Sequence, residues 1–259
     1  MTPEAEKRRE QILAELSQQR MVRVTDLSAR FGISDVSIRR DLERLEMLGL
    51  LKRVHGGAVA MPGSVAGQGY QTRLQQRVRE KERIGLAAAA LIHSGERVIF
   101  DSGTTVLQVA RHLPGHLLMD GNLTVITSSL PVVRELGPWK GVDLILLGGI
   151  YLSEYDVVVG PQTIDNLKGL NADKLILGAD GLTFSHGITT SNLLEAEVDQ
   201  AMVRAAREII VVADSSKIGV IGLTSIMPLT EINTLITDSS APADFVARLQ
   251  EGGVNVILA

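Results

Sequence analysis

A helix start, an apolar stripe and a pair of arginines occur together in Ser34-Asp35-Val36-Ser37-Ile38-Arg39-Arg40-Asp41-Leu42. Ser34 can cap this helix, because its hydroxyl can accept a hydrogen bond from a backbone amide of the first turn. Ile38, Leu42 and Leu45 recur at i, i+4 and i+7, so one stripe of the helix faces a core. The arginines lie away from that stripe, where they can contact a partner.

The chain before this helix predicts two further short helices. One covers roughly residues 3–17, and the other runs from Thr25, a candidate cap, to Phe31, with Gly32 in the turn that follows. A short helix, a turn with glycine and a second amphipathic helix are typical of the helix-turn-helix, whose second helix enters the major groove of DNA. We therefore expect the helix after Ser34 to read double-stranded operator DNA.

A small basic hairpin is predicted beyond Gly49. Its strands are Leu50-Leu51-Lys52-Arg53-Val54 and Ala58-Val59, around a turn of His55-Gly56-Gly57. Such a hairpin is the wing of a winged helix, and its side chains can reach phosphates or the minor groove. The predicted DNA-binding residues are Ser34, Val36, Ser37, Arg39, Arg40, Arg44, Lys52, Arg53 and His55.

Each of these features has a plainer interpretation. An isolated pair of arginines on a helix is usually a solvated face, but a capped turn before it and a basic wing after it favour DNA. Val36 is either an exposed apolar residue or a contact for a thymine methyl group. Asp41 would repel phosphates, so we predict that it holds an arginine in place at the edge of the apolar stripe.

Composition limits the rest of the chain. Its 259 residues suit a small domain plus a larger one. The chain is 45% hydrophobic but only 3% aromatic, so its core consists mainly of aliphatic residues, which suits helices on a parallel sheet. The net charge of the chain is −4, yet residues 1–60 hold eleven Lys or Arg against nine Asp or Glu. The slight positive excess therefore lies in the predicted DNA-binding domain. There is no cysteine, and no signal peptide or membrane span is evident. We predict a cytoplasmic protein without cofactor or metal.

The larger domain has the pattern of a mostly parallel α/β sheet, because apolar runs of strand length alternate with helical segments. The runs are Arg97–Phe100, Leu123–Thr127, Val142–Leu147, Lys174–Leu177, Ile209–Ala213, Thr234–Thr237 and Val254–Leu258. The predicted domains are a DNA-binding domain at 1–60, a linker at 61–80 and a sensor at 81–259. Four basic residues near the linker are expected to be solvated: Arg77, Arg79, Lys81 and Arg83.

Small and polar residues follow most of these strands, and they predict one ligand crevice at the carboxyl ends of the strands. Ser102-Gly103-Thr104-Thr105 begins a helix and suits a phosphate, although Thr104 or Thr105 can equally cap that helix. Lys217 is a cation for the same anion or a surface lysine. The acids can bind sugar hydroxyls or cap loops. The predicted effector-binding residues are Asp101, Ser102, Gly103, Thr104, Thr105, Thr127, Ser128, Gly148, Gly149, Asp180, Gly181, Glu195 and Lys217.

The chain resembles the DeoR family of bacterial regulators over nearly its whole length. The matching residues of the DNA-binding half are Ile33-Ser34, Ser37 to Leu42, Leu45, Gly49, Arg53 and His55 to Ala58. Those of the sensor are Asp101 to Thr105, Leu147 to Gly149, Gly178 to Gly181, Gly187 to Thr190, Glu195 to Val198 and Ala213 to Lys217. Two positions depart from the family pattern: Ser128 stands in place of an asparagine, and Ser37 in place of a threonine.

The resemblance implies a homo-oligomeric repressor of a carbohydrate operon. Its sensor domain would be similar in fold to ribose-5-phosphate isomerase and CoA transferases and would bind a phosphorylated sugar or related metabolite. A second hypothesis is an isomerase-like enzyme, in which Asp180 or Glu195 moves a proton and Lys217 stabilises an enediolate. A third is a protein-interaction scaffold that binds no operator.

Overall fold

The structure is a computed structural model, and it describes residues 8–9, 11–13, 15–16, 21–47, 51–59, 70–120 and 122–259. The chain divides into two compact units, Met1–Gln71 and Thr72–Ala259. This boundary falls within the predicted linker 61–80, of which residues 61–69 lie outside the described residues.

The N-terminal unit combines short helices with a three-stranded sheet. Residues 8–9, 11–13 and 15–16 are helical. The elements that follow are β1 (Met21–Arg23), α1 (Val24–Phe31), α2 (Asp35–Met47), β2 (Lys52–Val54) and β3 (Gly57–Val59). β3 pairs antiparallel with both β1 and β2, so the sequence predicted the β2–β3 wing correctly and missed β1.

The turn between α1 and α2 follows the sequence expectation. Gly32 ends α1 in the left-handed region, with φ 64°, where a glycine meets no steric penalty. Ser34 caps α2, because its Oγ accepts from the amide of Ser37 at 3.3 Å. The prediction that Thr25 caps α1 is wrong, since that helix begins one residue earlier, at Val24, directly after a paired strand.

A single apolar core holds this unit together. Ile38, Leu42 and Leu45 of α2 are at most 2% exposed, as their spacing predicts. They belong to a cluster with Ile12, Leu16, Val22, Val24, Leu27, Leu51 and Ala58. The stripe opposite the arginines is therefore the structural face of α2.

Asp41 anchors the first helix to α2, which confirms its predicted role. Its carboxylate is nearly buried and accepts from Nε of Arg8 at 2.7 Å, and Nε of Arg9 lies 3.7 Å away. We expect Asp41→Asn to destabilise this unit by about 1 kcal/mol, because a half-buried arginine loses its charged partner. Amide hydrogen exchange across α2 measures this loss. Glu43→Gln is the matched control, since the pair of Glu43 with Arg53 is exposed, and an equal effect of both substitutions would contradict the anchoring role.

Among the described residues, seven parallel strands form the central sheet of the C-terminal unit, in the order β15-β14-β12-β9-β4-β5-β6. They are β4 (Arg97–Phe100), β5 (Leu123–Thr127), β6 (Val142–Leu146), β9 (Ala172–Leu177), β12 (Ala206–Val212), β14 (Thr234–Thr237) and β15 (Asn255–Leu258). These are the predicted strands, with ends that shift by up to three residues. The expectation of a parallel α/β sheet is confirmed.

Both faces of the inner strands of this sheet are buried, whereas the edge strands β6 and β15 are partly exposed. Successive residues of one strand alternate between two apolar clusters: Val98 and Phe100 belong to one, and Ile99 to the other. The helices are α3 (Tyr70–Gln75), α4 (Val78–Ala89), α5 (Thr104–Arg111), α6 (Gly115–Met119), α7 (Leu130–Leu136), α8 (Pro161–Leu167), α9 (Leu193–Ala205) and α10 (Ala243–Glu251). None of the helices that the structure describes is long and apolar enough to cross a membrane.

Smaller antiparallel sheets complete the unit. One is the hairpin of β7 (Ile150–Leu152) and β8 (Val157–Val159), and the other joins β10 (Gly181–Thr183), β11 (Gly187–Thr190) and β13 (Thr224–Met227). Short 3₁₀ turns lie at Ser215–Lys217 and Leu229–Glu231. Four neighbouring strands, β14, β12, β9 and β4, end at one edge of the central sheet, which is where polar residues collect.

Candidate functional site

The outer face of α2 carries the arginines that the sequence assigned to DNA. Arg39, Arg40 and Arg44 are exposed, and the side chain of Val36 is 56% exposed beside them. Ser34 is exposed and Ser37 half-buried, with 3.1 Å between their hydroxyl oxygens. The predicted residues of α2 therefore form one accessible surface with cationic and small polar side chains.

The wing lies against the same helix. Lys52 and His55 are exposed on it. The guanidinium of Arg53 lies 3.4 Å from a carboxylate oxygen of Glu43 and 3.6 Å from one of Glu46, and its backbone amide donates to Glu46 at 2.9 Å. Arg53 thus ties the wing to α2, a role that the sequence did not predict, and its contact to DNA remains a prediction.

In the C-terminal unit, an open cleft lies at the carboxyl ends of the central strands. It encloses about 700 Å³ of empty space, a volume that includes the open solvent at its mouth. Eight of the predicted effector-binding residues line it: Asp101, Ser102, Gly103, Thr104, Thr105, Asp180, Glu195 and Lys217. Three of the five predicted strand-end segments, at 101–105, 178–181 and 214–217, therefore converge on one crevice.

The loop at Ser102–Thr105 has an open anion-binding geometry. Gly103 is the N-cap of α5, with φ 104° and ψ 159°, and no side chain caps the helix. The alternative that Thr104 or Thr105 caps α5 is therefore wrong. A β-carbon on Gly103 would meet nothing within 4 Å, so the chain has open space beside it at the start of α5. Helix amides without a side-chain cap attract a phosphate.

Thr127 and Ser128 do not line the cleft, although both follow a strand. Thr127 is fully buried, where its hydroxyl donates to the carbonyl of Phe100 at 2.7 Å and accepts from the amide of Ser129. Ser128 is 1% exposed, and its carbonyl accepts from the amide of Val158 at 2.9 Å. Both side chains lie inside the unit because the chain that follows β5 pairs with β8 and does not face the cleft.

Three glycines assigned to the effector also lie outside the cleft. The carbonyl of Gly148 accepts from the hydroxyl of Thr163 at 2.8 Å. A β-carbon on Gly149 would come within 2.3 Å of that hydroxyl, and one on Gly181 within 2.2 Å of the carbonyl of Val220. Gly149 and Gly181 are thus required by close packing of the chain, which explains them without a ligand, whereas a β-carbon on Gly148 would meet its nearest atom at 3.6 Å.

Two basic residues predicted to be solvated line the cleft instead. Lys81 is 4% exposed and its Nζ donates to the carbonyl of Arg73 at 2.5 Å, and the guanidinium of Arg77 contacts buried acids. The prediction is wrong for these two residues because the charged run lies on two sides of a helix that have different surroundings. Positions 77, 81, 84 and 88 share one face of a helix, so the apolar Ile84 and Ala88 pointed to the inward side. Arg79 and Arg83, on the other side, are exposed as predicted.

The cleft also holds acids with shifted ionisation. Burial raises the pKa of Asp101 to about 6, although its carboxylate accepts from the amide of Gly178 at 3.0 Å. Burial and the charge of Asp101 raise the pKa of Glu195 to about 8. Asp199, missed by the sequence reading, is buried beside Asp101, and its pKa is raised well above the ordinary value by burial and that charge. Glu195 is therefore largely protonated at neutral pH and can donate a hydrogen bond, and the pKa of Asp199 is shifted in the same direction.

Cations stand among these acids. Nη1 of Arg73 donates to Asp180 at 3.2 Å, and burial lowers the pKa of Lys81 to about 8. Lys217 lies on the turn after β12. The cleft residues that the sequence did not predict include Arg73, Gln76, Arg77, Lys81, Thr190 and Asp199. Together the lining offers cations for an anion and hydrogen-bonding groups for hydroxyls.

Comparison with known families explains this combination. The DeoR-like helix-turn-helix domain matches residues 8–62, and the DeoR C terminal sensor domain matches residues 76–239. The chain belongs to the DeoR family. It is a transcription regulator with a helix-turn-helix DNA-binding domain and a sensor domain, as the resemblance of its motifs implied.

Full-length relatives share both parts of this DeoR-family regulator. A protein of Escherichia coli O157:H7 named for repression of the aga operon is 36% identical over 97% of this chain and 93% of its own. The transcriptional repressor GlcR of Bacillus subtilis is 33% identical over 95% and 93%. A solved ribose 5-phosphate isomerase A of Methanocaldococcus jannaschii is 17% identical, with a TM-score of 0.38, over 53% of each chain.

Proposed function

We propose that this DeoR-family regulator represses a carbohydrate operon and that a phosphorylated sugar bound in the cleft controls it. The cleft is the observation that carries the proposal. Three kinds of group line the same cleft: the first amides of α5, which no side chain caps, the amine of Lys217, and the protonated carboxyl of Glu195. A phosphate suits the first two groups, and sugar hydroxyls suit the carboxyl. Relatives named as repressors, one of them of the aga operon, support the proposal that this protein represses transcription.

The DNA partner is bound by α2 and the wing in this proposal. Arg39, Arg40 and Arg44 contact base edges and phosphates of the major groove, and Lys52 and His55 contact the backbone beside it. A homo-oligomer presents these surfaces to operator half-sites, since such sites mirror the symmetry of the protein that reads them. The protein acts where the chromosome is, in the cytoplasm.

Two measurements test this function. Selection from a random duplex library identifies the operator, and a thermal-shift screen with pentose 5-phosphates, hexose 6-phosphates, amino-sugar 6-phosphates and ketose 1-phosphates identifies the effector. A ligand that binds the folded state raises its melting temperature. By linkage, an effector that weakens operator binding must itself bind less tightly to the DNA complex. Equal effector affinity with and without saturating operator would rule the mechanism out.

Lys217→Ala is expected to weaken binding of the sugar phosphate about tenfold, because a charged hydrogen bond to the phosphate is lost. Operator binding without effector should stay unchanged. Calorimetric titration with the phosphate from the screen measures the effect, and the exposed Arg83→Ala is the control for a lost charge. Effector affinity equal to that of the unaltered protein would remove Lys217 from the site.

Sugar-phosphate isomerisation is the second candidate, because buried carboxyls with raised pKa values can act as acids or bases. Asp180, one of the candidate bases, accepts from Arg73 at 3.2 Å and from the amide of Ser191 at 3.1 Å, contacts that suit a binding group. We infer that the chain binds without turnover. Incubation with pentose and hexose phosphates, followed by chromatography of the products, is expected to return only the starting sugars.

A further inference from the structure

Arg77 has a backbone conformation that few residues with a β-carbon adopt. It follows α3, precedes α4, and lies in the left-handed region with φ 49° and ψ 41°. No side chain caps α4 at this point. Such a conformation persists where surrounding contacts hold it in place. The contacts that hold Arg77 in this conformation are therefore those of its side chain.

The guanidinium of Arg77 links two adjacent strand ends. Its Nη2 donates to the hydroxyl of Ser215 at 3.0 Å, and its Nε lies 3.3 Å from a carboxylate oxygen of Asp214. The same Nη2 lies 3.7 Å from Asp238. Asp214 follows β12 and Asp238 follows β14, and both are at most 2% exposed. Two buried acids and one hydroxyl thus face a single cation.

The same acids shape the turn that carries Lys217. Asp214 accepts from the amide of Ser216 at 3.1 Å, and Asp238 accepts from the amide of Ser215 at 2.7 Å. Lys217 ends this 3₁₀ turn and lines the cleft. A change in the turn therefore alters the acceptors of Arg77 directly, because these residues share one hydrogen-bond network.

Arg77 also stands next to the chain that leads into the N-terminal unit. α3 begins at Tyr70 and ends at Gln75, so it crosses the boundary between the units at Gln71. Arg73, on the same helix, donates to Asp180 of the cleft. The segment that joins the two units thus provides cleft residues itself. A ligand in the cleft can therefore contact this segment directly.

We propose that Arg77 is the positioning residue through which occupancy of the cleft changes the segment that leads to the DNA-binding unit. This inference rests on the proposed function. A ligand anion attracts Lys217 and moves the turn at Ser215–Lys217, and the guanidinium of Arg77 follows its acceptors. The left-handed bend between α3 and α4 then changes with it. The residue has two arrangements, one for each state of the cleft.

Arg77→Asn separates the role of the side chain from that of the backbone conformation, because asparagine tolerates the left-handed region and has no guanidinium. In the full-length protein without ligand, hydrogen–deuterium exchange should rise about tenfold both at 214–217 and at 70–77. Arg77→Lys, which keeps the charge, should restore part of the protection, and Arg79→Asn should change neither segment. An increase at only one of the two segments would overturn the proposed link.

Operator affinity provides the second readout. It is measured with and without a saturating amount of the screened sugar phosphate that most raises the melting temperature. In Arg77→Asn the effector-dependent change in operator affinity should shrink at least tenfold, and Arg77→Lys should regain part of it. An undiminished change would refute the role of Arg77 while leaving the proposed function intact. If the unaltered protein responds to none of the phosphates, the proposed function fails, and the exchange experiment alone decides the link.

Discussion

Arg40→Ala is expected to weaken binding of the full-length protein to its selected operator about 10- to 100-fold, which corresponds to about 1–3 kcal/mol. The side chain is exposed on the face of α2 opposite the buried Ile38 and Leu42. The substitution therefore removes a DNA contact without touching the core. Fluorescence anisotropy with a labelled operator duplex measures the loss.

The control for Arg40 removes the same charge elsewhere. Arg111 is exposed in the sensor unit and pairs with Glu135, so Arg111→Ala should leave operator affinity within about twofold. A salt titration then separates two roles of Arg40. If it contacts a phosphate, the slope of log affinity against log salt falls by about one; if it reads a base, specificity at one position is relaxed. Wild-type affinity of Arg40→Ala would remove α2 from the DNA interface.

Local patterns in the sequence were enough to predict the architecture. The i, i+4, i+7 spacing of Ile38, Leu42 and Leu45 predicted a buried stripe, and all three are in the core. The apolar runs predicted the strands of the central sheet, because a strand buried on both faces needs an unbroken series of Val, Ile and Leu. β1 was missed because three residues without alternation give no strand signal, and only its pairing with β3 makes it a strand.

The cleft was predictable only in part, for reasons of topology. Strand ends show which loops approach one edge, so Asp101, Asp180 and Lys217 were found. Strand ends do not show which strands are central in the sheet. Ser128 and Gly148 follow β5 and β6, which are the last two strands at one end of the sheet. Asp199 and Lys81 lie on helices; the spacing of Lys81 from Ile84 and Ala88 indicates that it faces inward, but no local pattern indicates a ligand beside either residue. Their ionisation depends on neighbours that only the folded chain brings together.

Glu195→Gln is expected to stabilise the sensor unit by about 3 kcal/mol at pH 8 and to change its stability little at pH 5. Burial and the charge of Asp101 raise the pKa of Glu195 from 4.5 to about 8 in the folded state. The folded protein thus keeps a proton that the unfolded chain releases. The free energy of unfolding falls as the pH rises from about 4.5 to 8, and glutamine, which does not ionise, removes this loss.

Urea unfolding at a series of pH values measures the effect of Glu195→Gln, followed by the fluorescence of Trp139, the single tryptophan of the chain. Asp101 and Asp199 titrate in both proteins and interact with the charge of Glu195, so the difference between the two curves reports the ionisation of Glu195 together with that interaction. Glu197→Gln, an exposed neighbour on α9, should give no pH-dependent difference. A constant difference from pH 5 to 8 would show that Glu195 has an ordinary pKa. A buried carboxyl that lowers the stability of the fold is typical of a functional site. If Glu195 binds the effector, Glu195→Gln should also lose affinity for a ligand whose oxygen accepts the proton of Glu195.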